Sequence, residues 1–383
     1  MKSDTLVRDA AFYKRFFSIW SMLVLYNIIT LGINLADNVM IGAYSEIAMS
    51  GVSAVNQIQF VFQQLMMGVG DGIVVLGSQY WGKRRPDAIR KFLPGAFLVG
   101  AGISLFLFVA ACVAPEAILA IFTPDPAIRA AGVEYLRIIK YSYLIFALSQ
   151  ILLAMLRSVE TVRIGFWVSL AALAVNISLN YLLIGGHLGA PALGATGAAI
   201  ATAAARTMEL AVVLIFALRA DKKLGWRIAD IFRPDRALMK DFLRLIRPML
   251  FTSLMFGVAV ALQTAILGHM NENAIAANSV ASTLFQTLKV ASVGAASAAS
   301  ILIGTAIGSG QMDRIKAYTR TLQLMFLGIG LCTSLLLFAL RYPILSLYDM
   351  SAETYHLAEQ FILVLCFTGF GTAYEMPTII GLI

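Results

Sequence analysis

Residues 92–113 read FLPGAFLVGAGISLFLFVAACV and contain no charged side chain. A helix needs about 20 consecutive apolar residues to cross the hydrocarbon core of a bilayer, so this stretch is long enough to span one. The whole chain of 383 residues has the same character, with 60% hydrophobic and 13% charged residues and a mean hydropathy of +0.82. Soluble domains carry about 25% charged residues. The composition excludes an ordinary soluble enzyme, a disordered protein and a disulfide scaffold, and it predicts an all-α polytopic membrane protein.

Apolar spans follow one another along the chain, ten in all. They cover residues 16–41, 48–76, 92–113, 132–156, 164–185, 195–218, 246–268, 275–303, 318–340 and 356–381. The longest polar stretch separates the first six spans from the last four. We therefore expect an N-terminal lobe over residues 1–218, a cytoplasmic linker over residues 219–245 and a C-terminal lobe over residues 246–383.

Basic residues collect on one side of this arrangement. With the N-terminus placed in the cytoplasm, 23 of the 29 Lys and Arg residues fall in or beside inner loops, and only Arg129, Arg137 and Arg341 fall outside. Inner loops of membrane proteins carry such an excess. The net charge of +8 is therefore a topology signal, and no nucleic-acid partner is expected. The prediction is a multi-pass protein of the cytoplasmic membrane, in contact with lipid, with its N-terminus inside.

A shift of 226 residues lays the first spans of the two lobes on each other, pairing Lys14 with Lys240 and Gly42 with Gly268. Helix starts and loop lengths stay in phase along this shift. Since six spans are an even number, both lobes enter the membrane from the same side, which predicts a parallel pseudo-two-fold repeat around a central cleft. Residues 381–383 fall opposite the end of the fourth span. We therefore expect the second lobe to be truncated by two spans.

Four oxygen-bearing side chains converge in depth in the outer half of the N-terminal lobe: Asp37, Asn176, Asn180 and Thr202. An ionisable side chain inside a bilayer is costly and is a functional candidate by default. Asn176 and Asn180 share one helix face, because they are four residues apart. Such oxygens suit a hard monovalent cation, and a lone carboxylate in a cleft suits a proton. The structural alternative is that Asp37 caps a loop and that the two asparagines join helices by hydrogen bonds.

A second polar set consists of amides and a methionine that either line a substrate cleft or make buried packing contacts. It comprises Asn56, Gln59, Gln63, Met67 and Gln263.

Other charged residues within the spans have competing interpretations. Asp71 either faces an inner vestibule or pairs with a nearby arginine. Glu209 follows Arg206 by three residues on one helix, so a local ion pair is expected between them. Glu375 is expected to reach the membrane interface, and Lys289 either has a structural partner or helps to exclude substrates.

Histidines offer no metal or catalytic site in the sequence. His187, His269 and His356 lie in outer loops or at their edges, without ligand spacing. No nucleophile with its base and no phosphate-binding loop occurs in a plausible context. We therefore expect neither an enzyme nor a cofactor, and no metal beyond a coupling ion.

Five short motifs resemble the multidrug and toxic compound extrusion (MATE) family, and the resemblance covers nearly the whole chain. They are DNVMIG at 37–42, GSQYWG at 77–82, LRS at 156–158, NISLNY at 176–181 and GATGAA at 194–199. The resemblance implies twelve helices in two lobes, and export of organic cations and other amphipaths by antiport with protons or sodium. It also implies that the cluster of Asp37, Asn176, Asn180 and Thr202 falls on the cation-coupling positions, where sodium is the one metal expected.

The chain departs from the family pattern in the C-terminal lobe. Many members carry an acid in the seventh helix, where this chain has Phe256 and Gly257, and Gln263 occupies the place of Asp37 in the repeat. The acid position of the tenth helix falls near Ala373. We therefore expect the ion coupling in the N-terminal lobe.

The resulting hypothesis is a monomeric exporter of small, cationic molecules that works by alternating access and exchanges a proton or sodium ion at Asp37. The alternative is a flippase of the same superfold for lipid-linked precursors or oligosaccharides. Such substrates carry pyrophosphate and favour a strongly cationic cleft, whereas the cleft candidates here are amides, methionine and one carboxylate. A receptor or channel fits a parallel two-lobe repeat less well. Substrate identity and the choice between proton and sodium remain open.

Overall fold

The computed structural model describes residues 6–267, 272–345 and 352–382, and the regular structure in these ranges is helical. The helices are α1 (Ala10–Tyr44), α2 (Glu46–Gly82), α3 (Pro86–Val113), α4 (Pro115–Ala120), α5 (Pro126–Ile139), α6 (Ser142–Ser158), α7 (Arg163–Ile184), α8 (Gly194–Ile215), α9 (Arg236–Leu267), α10 (Glu272–Gly308), α11 (Met312–Leu345) and α12 (Ala352–Leu382).

Within those ranges, nine helices are long and apolar enough to cross a membrane. The count rises to ten if α5 and α6, which are bent by 56° at a short break, form one span together. The prediction of an all-α polytopic membrane fold with about ten spans is therefore confirmed. The fourth predicted span, residues 132–156, was expected to be continuous and is instead two helices.

At this break a serine hydroxyl forms a hydrogen bond to a backbone carbonyl. The Ser142 hydroxyl donates to the carbonyl oxygen of Ile139 at 2.7 Å, so a carbonyl at the end of α5 keeps a partner. A side chain that replaces a backbone hydrogen bond is one of the known causes of a sharp kink. Since no proline or glycine lies between α5 and α6, the apolar pattern gives no sign of the bend.

Contacts between residues divide the chain into two compact units. The terminal unit contains the chain up to Ile28, Trp81–Arg84 and the chain from Val260 onward, and the central unit contains Ile29–Tyr80 and Arg85–Ala259. Both α1 and α9 contribute to each unit. These units are defined by contacts, whereas the lobes expected from the sequence are defined by the repeat of helices. The predicted lobe boundaries are therefore not tested by this division and stay a prediction.

Close helix approach positions α7 and α8 in the central unit. A methyl group added at Gly197, on the first turn of α8, would lie 2.5 Å from the carbonyl oxygen of Leu183 on α7. Similarly, a methyl group at Gly51 of α2 would lie 2.6 Å from the backbone nitrogen of Gly132 on α5. Small residues at such positions let membrane helices pack backbone to backbone. The polar side chains of α7 and α8 are thereby held within hydrogen-bonding reach of each other.

The terminal unit is built mainly from α10, α11 and α12, together with the start of α1. The Trp20 indole nitrogen donates to the carbonyl oxygen of Ala291 at 2.9 Å, which ties α1 to α10. A methyl group at Gly381 would lie 2.8 Å from the carbonyl oxygen of Ala296, so α12 and α10 also pack closely.

Candidate cation site

The four side chains predicted to converge do meet in the central unit, where α1, α7 and α8 each supply part of a cluster. Asn180 donates from Nδ2 to Asp37 Oδ1 at 2.5 Å and to Asn176 Oδ1 at 3.2 Å. Thr202 donates from its hydroxyl to Asp37 Oδ2 at 3.2 Å. Asn176 donates from Nδ2 to Thr202 Oγ1 at 3.4 Å, which closes the ring. We call these four residues the Asp37 cluster.

The Asp37 cluster is buried. The exposed fraction is 7% for Asp37, 0% for both asparagines and 8% for Thr202. Both side-chain donors to the carboxylate, Asn180 and Thr202, are electrically neutral. The Oδ1 atom of Asn180 is buried and has no hydrogen-bond partner. Because an unsatisfied buried oxygen is costly, a cation or a water beside it would be stabilised.

The first part of the structural alternative does not describe Asp37. Its side chain lies within α1 rather than in a loop, and its carboxylate bonds to α7 and α8 rather than to a nearby backbone amide. The second part, that the asparagines join helices, is compatible with the observed bonds. A role for the Asp37 cluster in ion coupling stays a prediction, and the oxygens it assembles fit a hard cation or a proton.

Arg206 lies one helical turn beyond Thr202 on α8. Its guanidinium donates from Nη1 to Ser142 Oγ at 2.7 Å and from Nη2 to Gln59 Oε1 at 2.6 Å. The same group lies 4.9 Å from the centre of the Phe146 ring. Gln59 in turn donates to Asn56 Oδ1 at 3.2 Å. Arg206 therefore joins α8 to α2 and to the break between α5 and α6.

Arg206 and Glu209 interact electrostatically, but they do not form the direct ion pair that their spacing predicts. Within the described chain, Glu209 accepts a hydrogen bond from Gln150 Nε2 at 3.4 Å, and no salt bridge links it to Arg206. The break before α6 supplies the reason, because it presents the Ser142 hydroxyl to the arginine. Local spacing predicted a partner within the helix, but tertiary packing offered two partners outside it.

Cleft candidates differ in their surroundings. Gln59 has an exposed fraction of 4% and bonds to Arg206, so it lies inside the central unit rather than on an open surface. Asn56, Gln63 and Met67 on α2 are partly exposed, and Gln263 is exposed in the terminal unit. Their contact with a substrate stays a prediction.

Remaining charged candidates have distinct positions. A methyl group at Gly70 would lie 3.2 Å from Arg157 Nη2. The guanidinium of Arg157 therefore lies close to Asp71, the next residue, which supports the pairing of Asp71 with an arginine. Glu375 is exposed, in agreement with a place at the interface. Lys289 lines a small cavity of the terminal unit together with Ala373 and several hydroxyl side chains.

Histidines occupy peripheral positions where they are described. The His187 ring stacks on Tyr181 at 4.1 Å, and its Nδ1 lies 2.8 Å from the carbonyl oxygen of that tyrosine. His356 is exposed, and His269 lies outside the described residues. In the described part of the chain, no group of three or more His, Cys, Asp or Glu could hold a metal ion.

Comparison with known proteins places this arrangement in a family. The MatE family model matches residues 23–182 and 248–382. The chain belongs to the MatE family. The two matched segments begin at positions whose offset lies within one residue of the 226-residue shift seen in the sequence. The resemblance drawn from five short motifs is confirmed.

Curated relatives cover most of the chain. A multidrug resistance protein, MdtK, from Pectobacterium atrosepticum is 25% identical over 333 residues, which are 86% of this chain and 72% of that protein. A probable multidrug resistance protein, NorM, from Bacillus cereus is 25% identical over 337 residues, which are 85% of this chain and 72% of the relative.

Solved structures have the same fold. One is the outward-facing conformation of a multidrug resistance MATE family transporter, with a TM-score of 0.83 and 17% identity over 100% of this chain and 85% of that chain. Another is a eukaryotic MATE transporter, with a TM-score of 0.83 and 16% identity over 97% of this chain and 82% of that chain. This MatE protein is therefore a multi-pass membrane protein.

Proposed function

We propose that this MatE protein exports drugs and other amphipathic small molecules, organic cations among them, in exchange for a proton or a sodium ion. The relatives named as multidrug resistance proteins support the export of drugs. One observation carries the ion exchange: a buried carboxylate, Asp37, is held by two neutral donors from other helices, beside an asparagine oxygen that has no hydrogen-bond partner.

Electrostatics gives this cluster two states. An ionised carboxylate in a buried setting is costly unless a positive charge compensates for it, so a cation from solution binds there favourably. When the cation leaves, the Asn180 and Thr202 donors still stabilise the carboxylate. A cluster that gains a cation on one side of the membrane and loses it on the other can drive substrate outward, by alternating access.

Membrane location and orientation belong to the same proposal. We place the protein in the cytoplasmic membrane with its N-terminus inside, as the distribution of basic residues supports. A monomer is sufficient for this function, because the Asp37 cluster is built from one chain. The flippase alternative is less well supported, since the curated relatives are named for multidrug resistance.

A transport assay tests the proposal. The purified chain is reconstituted into lipid vesicles, a fluorescent organic cation such as ethidium is the substrate, and proton and sodium gradients are imposed separately. We expect uptake to follow one of the two gradients and to be lost in Asp37→Asn. Asp87→Asn is the matched control, because that carboxylate is exposed and pairs only locally with Arg85.

Two results would contradict the proposal. Transport that ignores both gradients would exclude ion exchange, and an Asp37→Asn variant as active as the wild type would make Asp37 a structural residue. An absence of ethidium transport, together with movement of a fluorescent lipid-linked saccharide, would favour the flippase.

A further inference from the structure

Arg206 is placed to act on the Asp37 cluster. It follows Thr202 by four residues on α8, so the two side chains share a helix face and are separated by about 6 Å along the axis. Thr202 is bonded to Asp37. Arg206 carries the opposite charge to Asp37 and interacts electrostatically with that carboxylate as well as with the carboxylate of Glu209.

This positive charge is fixed in place. The guanidinium is held by two hydrogen bonds, of 2.7 Å to Ser142 and 2.6 Å to Gln59, and it lies against the Phe146 ring. A planar guanidinium with two directed bonds loses little freedom on binding and stays charged at any physiological pH. These contacts hold the guanidinium against α2 and α6, and among the described residues no salt bridge joins it to Asp37.

Other titratable groups surround the arginine on the elements packed against it. Tyr135 of α5 lies beside Gln59 and Thr202, and Tyr143 of α6 also interacts with the guanidinium. Along α8, Thr202 precedes Arg206 and Glu209 follows it. The carboxylate of Glu209 accepts a hydrogen bond from Gln150. The acidic and basic side chains that meet here are therefore Asp37, Arg206 and Glu209.

We propose that Arg206 is the internal counter-ion of Asp37 and sets how readily the coupling cation leaves. The inference rests on the proposed role of Asp37 in cation exchange. With the cation gone, the fixed positive charge stabilises the ionised carboxylate; with the cation bound, the same charge repels it. Arg206 is thus a positioning residue that keeps the affinity of the cluster low enough for release.

Three variants in the vesicle assay distinguish the effect of the Arg206 charge from the effect of its hydrogen bonds. Arg206→Gln keeps donors but removes the charge, Arg206→Lys keeps the charge, and Ser142→Ala removes one partner while leaving the charge. We expect Arg206→Gln to lower the cation concentration for half-maximal transport about tenfold and to slow the maximal rate, since electrostatic repulsion is lost. The midpoints of Arg206→Lys and Ser142→Ala should stay near that of the wild type.

Two results would overturn the counter-ion role of Arg206. A midpoint for Arg206→Gln equal to or above that of the wild type would overturn the counter-ion role. So would an Arg206→Lys protein that shifts as Arg206→Gln does. If Asp37→Asn itself retains cation-dependent transport, the proposed function fails; if Asp37→Asn abolishes it and Arg206→Gln changes nothing, only the counter-ion role fails.

A double variant covers the case in which Arg206→Gln does not fold. The buried carboxylate of Asp37, left uncompensated, would be the cause, so adding Asp37→Asn, and not Glu209→Gln, should restore the thermal unfolding midpoint of the purified protein in detergent. If the double variant is as unstable as Arg206→Gln, the two charges are not coupled and the inference is wrong.

Discussion

At the scale of single residues, Thr202 links the two charges of the site. Its hydroxyl donates to Asp37, and Arg206 lies one turn further along the same helix. The Thr202 hydroxyl and the Asp37 carboxylate would both stabilise a bound sodium ion, since each presents an oxygen to it. A proton needs only the carboxylate, and a hydrogen bond to the ionised form opposes its binding.

Thr202→Val therefore distinguishes the two coupling ions. Removing the hydroxyl should raise the sodium concentration for half-maximal transport about tenfold if sodium is the coupling ion, since a ligand is lost. It should instead lower the required proton concentration if the proton is the coupling ion, since hydrogen bonds to charged groups are worth about 1.5–3 kcal/mol. Thr202→Ser keeps the hydroxyl and should retain the wild-type midpoint. A Thr202→Val midpoint that does not move for either ion would remove Thr202 from the site.

The Asp37 cluster was predictable from the sequence because each member is a polar side chain in an apolar span at a similar depth. The contacts of Arg206 were not predictable in this way. The spacing of Arg206 and Glu209 suggested a local pair, and only the fold brings Ser142 and Gln59 to the guanidinium. The four-residue spacing of Thr202 and Arg206 was the available sign, since it puts both on one helix face.

At the scale of helices, close packing of α7 on α8 holds the site together. Asn176 and Asn180 belong to α7 and Thr202 to α8, so their hydrogen bonds depend on the distance between the two backbones. Gly197 sets that distance near the N-terminal end of α8.

Gly197→Ala is expected to lower the free energy of unfolding by about 1–3 kcal/mol, because the added methyl overpacks against the α7 backbone. Thermal unfolding of the purified protein in detergent measures the effect. Gly102→Ala on α3 is the matched control, since a methyl group there meets nothing within 4 Å. Equal midpoints for the two variants would show that α7 and α8 adjust without cost.

The helices were largely predictable, whereas the bend between α5 and α6 was not. Long apolar runs mark spans because a bilayer demands them. At the bend the Ser142 hydroxyl bonds to the carbonyl oxygen of Ile139, within a run of otherwise helix-compatible residues. No local sequence pattern distinguishes Ser142 from serines that make the same kind of bond within a continuous helix.

At the scale of the whole molecule, family membership describes a membrane transporter, and the distribution of basic residues supports the proposed orientation with the N-terminus inside. The five motifs were enough to predict the family from the sequence.

Orientation is tested by labelling. In a background with Cys112, Cys332 and Cys366 replaced by serine, Lys222→Cys should react with a membrane-impermeant maleimide only from the cytoplasmic side. Glu116→Cys should react only from the outside, and both positions are exposed on the protein. The opposite pattern would invert the proposed topology.

If Asp37 exchanges a cation for substrate, movement of substrate must drive movement of the ion, and this can be measured. Vesicles containing the protein are given an ethidium gradient and no ion gradient, and internal pH and sodium are followed with fluorescent indicators. We expect that ethidium moving one way drives protons or sodium the other way, and that Asp37→Asn abolishes the ion flux. Ethidium movement without any ion flux, or an unchanged flux in Asp37→Asn, would contradict it.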